Sequence, residues 1–250
     1  LGVTPPSDLA SRMVRAADRW RALDPAGSFY IAIGDEYAAE ICLIGKRELG
    51  LTLRNWIIWQ YTFGQQTKMK FARAHAHIFY FVKDRANFTF NDSAIRVPSD
   101  RQMLYNDIRA NPKGRIPDDV WTLCRDCARK NSLNGDDAHT DIWLMSRVCG
   151  TFKERVLWHP CQMPERLLER IVRVSSNPGD LVFDPFAGSG TTLVAARKLG
   201  RHWLGADISP DYVQRATQRV RKTPIAVPEP ADEAARHTTE AKETQAASLF

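Results

Sequence analysis

Short apolar runs separated by polar turns divide the first third of the chain into strands and helices. Residues 28–33 are predominantly apolar and predict a buried strand. Apolar residues recur at helical spacing over residues 37–49, and Gly50 predicts the end of that helix. Residues 54–61 and 77–82 predict two further strands. This order favours a parallel sheet followed by an antiparallel edge hairpin, in an α/β fold.

The same alternation resumes in the last third of the chain. Pro164 predicts the start of a helix, and its apolar face consists of Leu167, Leu168, Ile171, Val172 and Val174. Residues 181–183 predict a short strand that is buried on both faces. A helix over residues 193–199 follows, with Thr191 or Thr192 as its predicted cap and Gly200 at its end.

A further strand and helix complete this region. Residues 201–206 predict a strand that leads to Asp207, and a helix begins at Ser209 or Pro210 and ends near Arg219. At the other end of the chain, Ser7 or Asp8 predicts the cap of a helix that extends to about Leu23.

Composition divides the chain into four predicted regions. Residues 1–83 contain the first strands, whereas residues 84–150 are polar, turn-rich and scattered with arginine, as expected for an insertion with a basic surface. Residues 151–222 form the second half of the domain. Residues 223–250 are rich in Ala, Glu, Thr and Pro and lack periodicity, which predicts a disordered tail.

The stretch from the 181–183 strand to the 193–199 helix contains the strongest candidate chemistry. Gly188 and Gly190 allow a sharp turn and the close approach of a ligand. Amide groups at the start of the following helix are suited to bind an anionic group. Asp207 ends the next strand about twenty residues later, where a ribose-binding carboxylate belongs in a nucleotide-binding unit. We therefore predict half of a Rossmann-like fold with an adenosine-containing ligand, rather than a glycine turn without one.

Two common nucleotides are disfavoured by the spacing of this turn. A dinucleotide fingerprint requires a third glycine at the position of Leu193. A phosphate-binding P-loop requires a lysine after its glycines, and none is present there.

A basic loop is predicted between the strands at 54–61 and 77–82. It contains Lys68, Lys70 and Arg73, which can meet phosphates, and Phe63 and Phe71, which can stack on a base. A solvated hairpin loop without a ligand is the alternative. The net charge of +6 fits an anionic partner but does not require one.

The cysteines and the lengths of the apolar runs indicate the cellular compartment and whether a metal site is expected. Five scattered cysteines favour a reducing compartment, and the sequence shows neither an apolar run long enough for a bilayer nor a signal-peptide pattern. We therefore expect a cytoplasmic protein without membrane contact. Cys124 and Cys127 form a C-x-x-C pair, but without a second pair nearby they predict no zinc site.

The run Asp184-Pro185-Phe186-Ala187-Gly188-Ser189-Gly190-Thr191-Thr192 closely resembles the S-adenosylmethionine loop of the amino-methylating DNA methyltransferases. The order of strands, basic loop, insertion, His159-Pro160-x-Gln162 and glycine turn resembles the permuted, β-class members of that family. The resemblance covers about residues 24–220. It implies a Rossmann-like methyltransferase fold that transfers methyl groups to adenine N6, which we favour, or cytosine N4.

The resemblance also assigns candidate residues. Those implied to bind S-adenosylmethionine are Asp184, Pro185, Phe186, Gly188, Ser189, Gly190, Thr191, Asp207, His159, Pro160, Gln162 and Asp35. Residues 70–75 resemble a Lys-Phe-Ser-Arg-Ala-His run that lies beside the target base in the family. This likeness implies contacts with DNA or the target base for Lys70, Phe71, Arg73 and His75, with Lys68 from the same loop. Cys161 and Met163 stand where the family often has Thr and Lys, and Cys161 is expected to be structural. No metal is implied.

One element of the family pattern is absent from the sequence. The catalytic tetrad (Asp/Asn/Ser)-Pro-Pro-(Tyr/Phe/Trp) has its nearest match in residues 4–7, Thr-Pro-Pro-Ser. This string lacks the carboxylate or amide at its first position and the aromatic residue at its last. We expect the tetrad upstream of Leu1, and the 250 residues to be inactive alone. The alternatives are a non-catalytic relative or subunit, or a methyltransferase for RNA or a small molecule. Double-stranded DNA is the expected partner, and the resemblance leaves open an accompanying restriction endonuclease and the oligomeric state.

Overall fold

The computed structural model describes residues 23–61, 67–97, 99, 101, 105–121, 148 and 153–225. Nearly all of the predicted N-terminal helix, residues 4–7, the Cys124–Cys127 pair and most of the predicted tail lie outside these ranges. Within the described ranges, no helix has the length and apolar character that crossing a bilayer requires.

Four strands form the larger sheet, in the order β1-β3-β2-β4. They are β1 (Ser28–Ile33), β2 (Thr52–Gln60), β3 (His75–Val82) and the short β4 (Val120–Trp121). β3 is antiparallel to both β1 and β2, whereas β4 is parallel to β2. The β2–β3 hairpin is antiparallel as predicted, but it lies inside the described sheet rather than at its edge. The reason is that β1, instead of pairing with β2 as in a parallel sheet, pairs with the free edge of β3, so β3 has neighbours on both sides and is buried along most of its length.

Alternate residues of β3 face two separate apolar layers. Phe79 and Phe81 pack with α1 (Ala38–Leu43) on one face. Ile78 and Val82 pack on the other face with the layer that contains Leu167 of α2 (Glu165–Ser175). The sheet is therefore covered on both faces. The predicted 37–49 helix is divided in the structure, because a 3-10 turn (Asp35–Tyr37) precedes α1 and a π-helical turn (Ile44–Glu48) follows it.

The second half of the structure is a parallel β-α-β unit. β5 (Leu181–Asp184) and β6 (His202–Gly205) are adjacent and parallel, and α3 (Thr191–Lys198) connects them. α4 (Pro210–Lys222) follows β6. Helix α3 packs against both strands and against α2, so α2 lies between the four-stranded sheet and this unit.

The helix ends show which local predictions depend on tertiary structure. Thr191 and Thr192 were candidate caps for α3, and this prediction is wrong: the cap residue is Gly190, with φ of 75° and no side-chain cap hydrogen bond. A left-handed cap residue favours glycine, so the turn itself sets the helix start. Ser209 caps α4 as predicted, since its hydroxyl accepts a hydrogen bond from Tyr212 N at 3.4 Å.

Candidate functional site

The turn between β5 and α3 has a shape that requires glycine. Gly188 and Gly190 have φ values of 47° and 75°, a region that side chains other than glycine rarely adopt. A Cβ on Gly188 would lie 2.7 Å from His159 Nε2, and one on Gly190 would lie 2.9 Å from Ala216 Cβ. The turn therefore fits closely between the His159 loop on one side and α4 on the other.

Asp207 connects the ends of the two parallel strands. Its Oδ2 accepts a hydrogen bond from Gly188 N at 2.9 Å, and its Oδ1 accepts one from Ser209 N at 2.9 Å. Beside it, Asp184 Oδ1 accepts a hydrogen bond from Phe186 N at 3.0 Å. A carboxylate oxygen has two lone-pair directions, so both groups keep acceptor capacity for a ligand. The sequence predicted Asp207 as a ligand contact, and the structure adds this anchoring of the turn.

A cavity of about 160 Å³ lies over the turn. Its lining residues are His159, Cys161, Met163, Leu168, Asp184, Phe186, Ala187, Gly188, Ser189, Thr191, Thr192 and Asp207. Most of the predicted cofactor residues are thus brought together around one space. Those outside the lining are Pro160, Gln162, Pro185, Gly190 and Asp35.

Gln162 has a structural contact instead. Its amide is buried, donates from Nε2 to Glu154 O at 2.7 Å and accepts at Oε1 from Val156 N at 2.8 Å. These two bonds close the loop that presents His159. Burial raises the pKa of the Glu154 carboxyl in the same loop.

Two contacts near the cavity have no signal in the sequence. The Tyr212 ring meets the His159 ring edge to face, with centroids 4.9 Å apart. Leu168 of α2 lies in the cavity wall. Periodicity predicts Leu168 on the apolar face of its helix and gives no role to Tyr212, and only the packing of α2 and α4 brings them to the site. Cys161 is an exposed free thiol in the lining, and its backbone amide donates to His159 Nδ1 at 3.3 Å.

Asp35 lies beside the basic loop. At the end of β1 it forms an ion pair with Arg73, with Nη2 and Oδ1 2.5 Å apart. Glu36 pairs with the same guanidinium at 3.1 Å, and that hydrogen bond is the main reason that the pKa of Arg73 is raised. Two residues that the sequence assigned to different ligands are therefore in direct contact.

The described part of the basic loop presents exposed apolar and cationic side chains together. Phe71 is 100% exposed and Met69 is 98% exposed, and the neighbouring Lys68 and Lys70 are exposed as well. These side chains are thus available to contact a partner. Phe63 lies outside the described residues.

An aromatic cluster supports the β3 end of this loop. Trp56 Nε1 donates to His77 Nδ1 at 2.9 Å, and the His75 ring lies edge to face on the His77 ring, with centroids 5.0 Å apart. Burial, followed by the neighbouring His75, lowers the pKa of His77. His77 is therefore neutral at pH 7 with its proton on Nε2.

The fold and the site together define a class. A parallel β-α-β unit with a glycine turn after its first strand and a carboxylate after its second is a Rossmann-like nucleotide-binding unit. The structure of the complex of M1.HpyAVI with SAM has this fold: its TM-score is 0.56 at 22% identity, over 83% of this chain and 80% of that one.

The sequence profile of a family described as DNA methylase matches residues 7–218, so the chain belongs to this DNA methylase family. Type II methyltransferase M.HpaI of Haemophilus parainfluenzae is 34% identical over 201 residues, which are 80% of this chain and 55% of M.HpaI. DNA adenine methyltransferase YhdJ of Escherichia coli (strain K12) is 33% identical over 207 residues, 82% of this chain and 64% of YhdJ. The chain therefore spans little more than half of M.HpaI and under two thirds of YhdJ.

Proposed function

We propose that this chain binds S-adenosylmethionine at the glycine turn and acts in the transfer of its methyl group to the exocyclic amine of a base in double-stranded DNA. The observation that carries the proposal is the joint placement of Gly188, Asp184 and Asp207 around one cavity. Adenine N6 is the favoured target, in line with the name of YhdJ, and cytosine N4 is the second.

The residues around the cavity fit this methyl donor. Asp207 offers acceptors for two ribose hydroxyls, and Asp184 offers a negative charge to an ammonium group. The amino end of α3, where Thr191 and Thr192 line the cavity, suits the carboxylate of the methionine part. A Cβ at Gly188 would overlap the His159 ring, so glycine lets the turn and the His159 loop, which both line the cavity, approach each other closely. The donor supplies an electrophilic methyl group on sulfur.

The protein's part in this reaction is to orient two reactants. A base amine inside a duplex cannot reach a buried pocket, so the target base leaves the stack. Alignment of the amine with the methyl group then accounts for much of the rate. Groups that accept the amine hydrogens belong to the family's catalytic tetrad, whose nearest match in this sequence is Thr-Pro-Pro-Ser at residues 4–7. Exposed Phe71 is placed to stack on a base or to fill the gap that the flipped base leaves.

The proposal is tested by calorimetric titration with S-adenosylmethionine, followed by transfer of tritiated methyl groups to duplex DNA. We expect binding in the micromolar range, and no transfer by the 250 residues alone. Absence of donor binding contradicts the proposed function. Donor and DNA binding without transfer by any longer product of the reading frame supports a non-catalytic subunit. Methylation of RNA but not of duplex DNA supports the RNA alternative.

The basic loop yields a separate prediction about DNA. Affinity for DNA falls as the salt concentration rises, so the slope of log affinity against log salt is negative. Substituting Lys68 and Lys70 together by alanine should reduce the magnitude of this slope by about 2, because two phosphate contacts are lost. Phe71→Ala should weaken binding about tenfold through lost stacking, while Phe71→Trp restores it. Fluorescence anisotropy with a labelled duplex at several salt concentrations measures both effects.

The matched control for the lysines is Lys46→Ala, which removes an exposed charge from the π-helical turn after α1, outside the basic loop. We expect it to leave the salt slope of the parent protein unchanged. Equal slopes for the parent and the Lys68/Lys70 variant would contradict a DNA contact by this loop, whatever the affinity for the methyl donor.

A further inference from the structure

Arg219 of α4 contacts the back of the glycine turn, on the side away from the cavity. Its Nη1 donates to Ser189 O at 2.9 Å and to Thr191 Oγ1 at 3.1 Å. Its side chain is only 16% exposed. Neither Arg219 nor its partner Glu165 lines the cavity. The guanidinium therefore acts on the turn and does not reach a ligand.

A carboxylate fixes the orientation of this guanidinium. Glu165, at the start of α2, accepts from Arg219 Nη2 at its Oε1, 2.6 Å away, and is 17% exposed. Its other oxygen pairs with Lys198 of α3. Burial works against the charge on Lys198, but the bond to Glu165 raises the pKa of that ammonium. Charges withdrawn from water in this way require close partners, so the pair is held in one arrangement.

These contacts determine the direction of one peptide group in the turn. The Ser189–Gly190 peptide has its carbonyl bound by Arg219, and its N–H donates to Ala187 O at 2.6 Å. The preceding amide of Gly188 donates to Asp207. With both ends of the peptide bound, the turn cannot rotate this plane without losing two hydrogen bonds. Ser189 and Thr191, which line the cavity, are joined through their hydroxyls at 2.9 Å.

We propose that Arg219, oriented by Glu165, is a positioning residue for the methyl donor. It binds the Ser189 carbonyl and Thr191 Oγ1 from behind, so that the backbone of these two lining residues keeps the geometry that binds the ligand. The inference rests on the proposed function, because it concerns the same ligand. It adds two residues that neither the glycine motif nor the cavity lining includes.

Four variants separate positioning from folding. Arg219→Lys keeps the charge but loses the fork that serves Glu165 and Ser189 at once. Arg219→Met leaves Glu165 without its guanidinium partner. The Glu165→Gln/Arg219→Met double variant removes both charges of the pair and leaves Lys198 its contact with Glu169 at 3.3 Å, so its melting temperature should recover relative to Arg219→Met. Arg221→Met removes a charge from an exposed position of the same helix and is the control.

We expect S-adenosylmethionine to bind about tenfold more weakly to Arg219→Lys and at least about 30-fold more weakly to the double variant, by calorimetry. Binding to Arg221→Met should match the parent. In the ligand-free protein, the Gly190 amide should exchange with solvent faster in the double variant, because the turn is released. If Arg219 had only a structural role, the double variant would recover donor affinity together with its melting temperature.

Donor affinity in the double variant equal to that of the parent would overturn the inference and leave the proposed function intact. Unchanged exchange at Gly190 would overturn it as well. A parent protein that does not bind S-adenosylmethionine at all would instead refute the proposed function, so the two failures are distinguishable.

Discussion

Asp207→Ala should weaken the binding of S-adenosylmethionine by about 100-fold, since two hydrogen bonds to a charged acceptor at about 1.5 kcal/mol each amount to about 3 kcal/mol. The same carboxylate also holds the turn, through Gly188 N at 2.9 Å, and the loss of that bond adds to the effect. Its removal takes away the ribose acceptors and loosens the surface on which the donor lies. Calorimetric titration measures the loss.

Two further variants make this test specific. Asp207→Asn keeps one acceptor oxygen and the side-chain volume, so its affinity should lie between those of the parent and the alanine variant. Asp211→Ala removes a carboxylate a few residues later, where it pairs with Arg215 at 2.8 Å on the exposed face of α4. We expect parental affinity for it. An alanine variant at position 207 with unchanged affinity would remove the main support for a ribose contact.

Gly188→Ala should abolish measurable donor binding. Its φ of 47° is costly for any residue with a Cβ, by about 1–3 kcal/mol. The new methyl group would also lie 2.7 Å from His159 Nε2 and overlap this ring, which lines the cavity beside Gly188. The turn or the His159 loop must therefore shift, and either movement changes the cavity. Calorimetry together with thermal unfolding measures both consequences.

Gly200→Ala is the matched control for this substitution. Gly200 has a similar φ of 72°, but a Cβ there would meet nothing within 4 Å. It should lower stability by about 1 kcal/mol and leave the affinity for the donor unchanged. Equal losses of affinity in the two glycine variants would show that backbone strain alone explains the loss of donor binding. The close contact between Gly188 and His159 would then have no role in binding.

Local patterns predicted those parts of the molecule whose structure depends on neighbours in the sequence. Strand β1 occupies the predicted residues, and β5, α3 and β6 follow in the predicted order. The glycine turn was identified because positions with positive φ or close packing require glycine, which is visible in the sequence. Asp207 was found in the same way, from its distance along the chain to the glycines.

The contacts that the sequence did not reveal join segments far apart in the chain. Arg219 looks in the sequence like any other cation on the polar face of a helix, and only the packing of α4 against the turn gives it a role. The ion pair between Asp35 and Arg73 likewise depends on β1 and β3 being neighbours. The order of elements in the sequence predicted the β2–β3 hairpin at the edge of the sheet. In the structure β3 is buried along most of its length and lies between β1 and β2.

The glycine turn is held from two opposite sides, by Asp207 at Gly188 and by Arg219 at Ser189. A loop fixed in this way has already lost most of its conformational entropy during folding. A small ligand that enters the cavity does not have to order the backbone again, so less of its interaction energy is offset by that cost. A short, glycine-rich segment, which would be among the most mobile in an unfolded chain, is thus a rigid part of the folded protein.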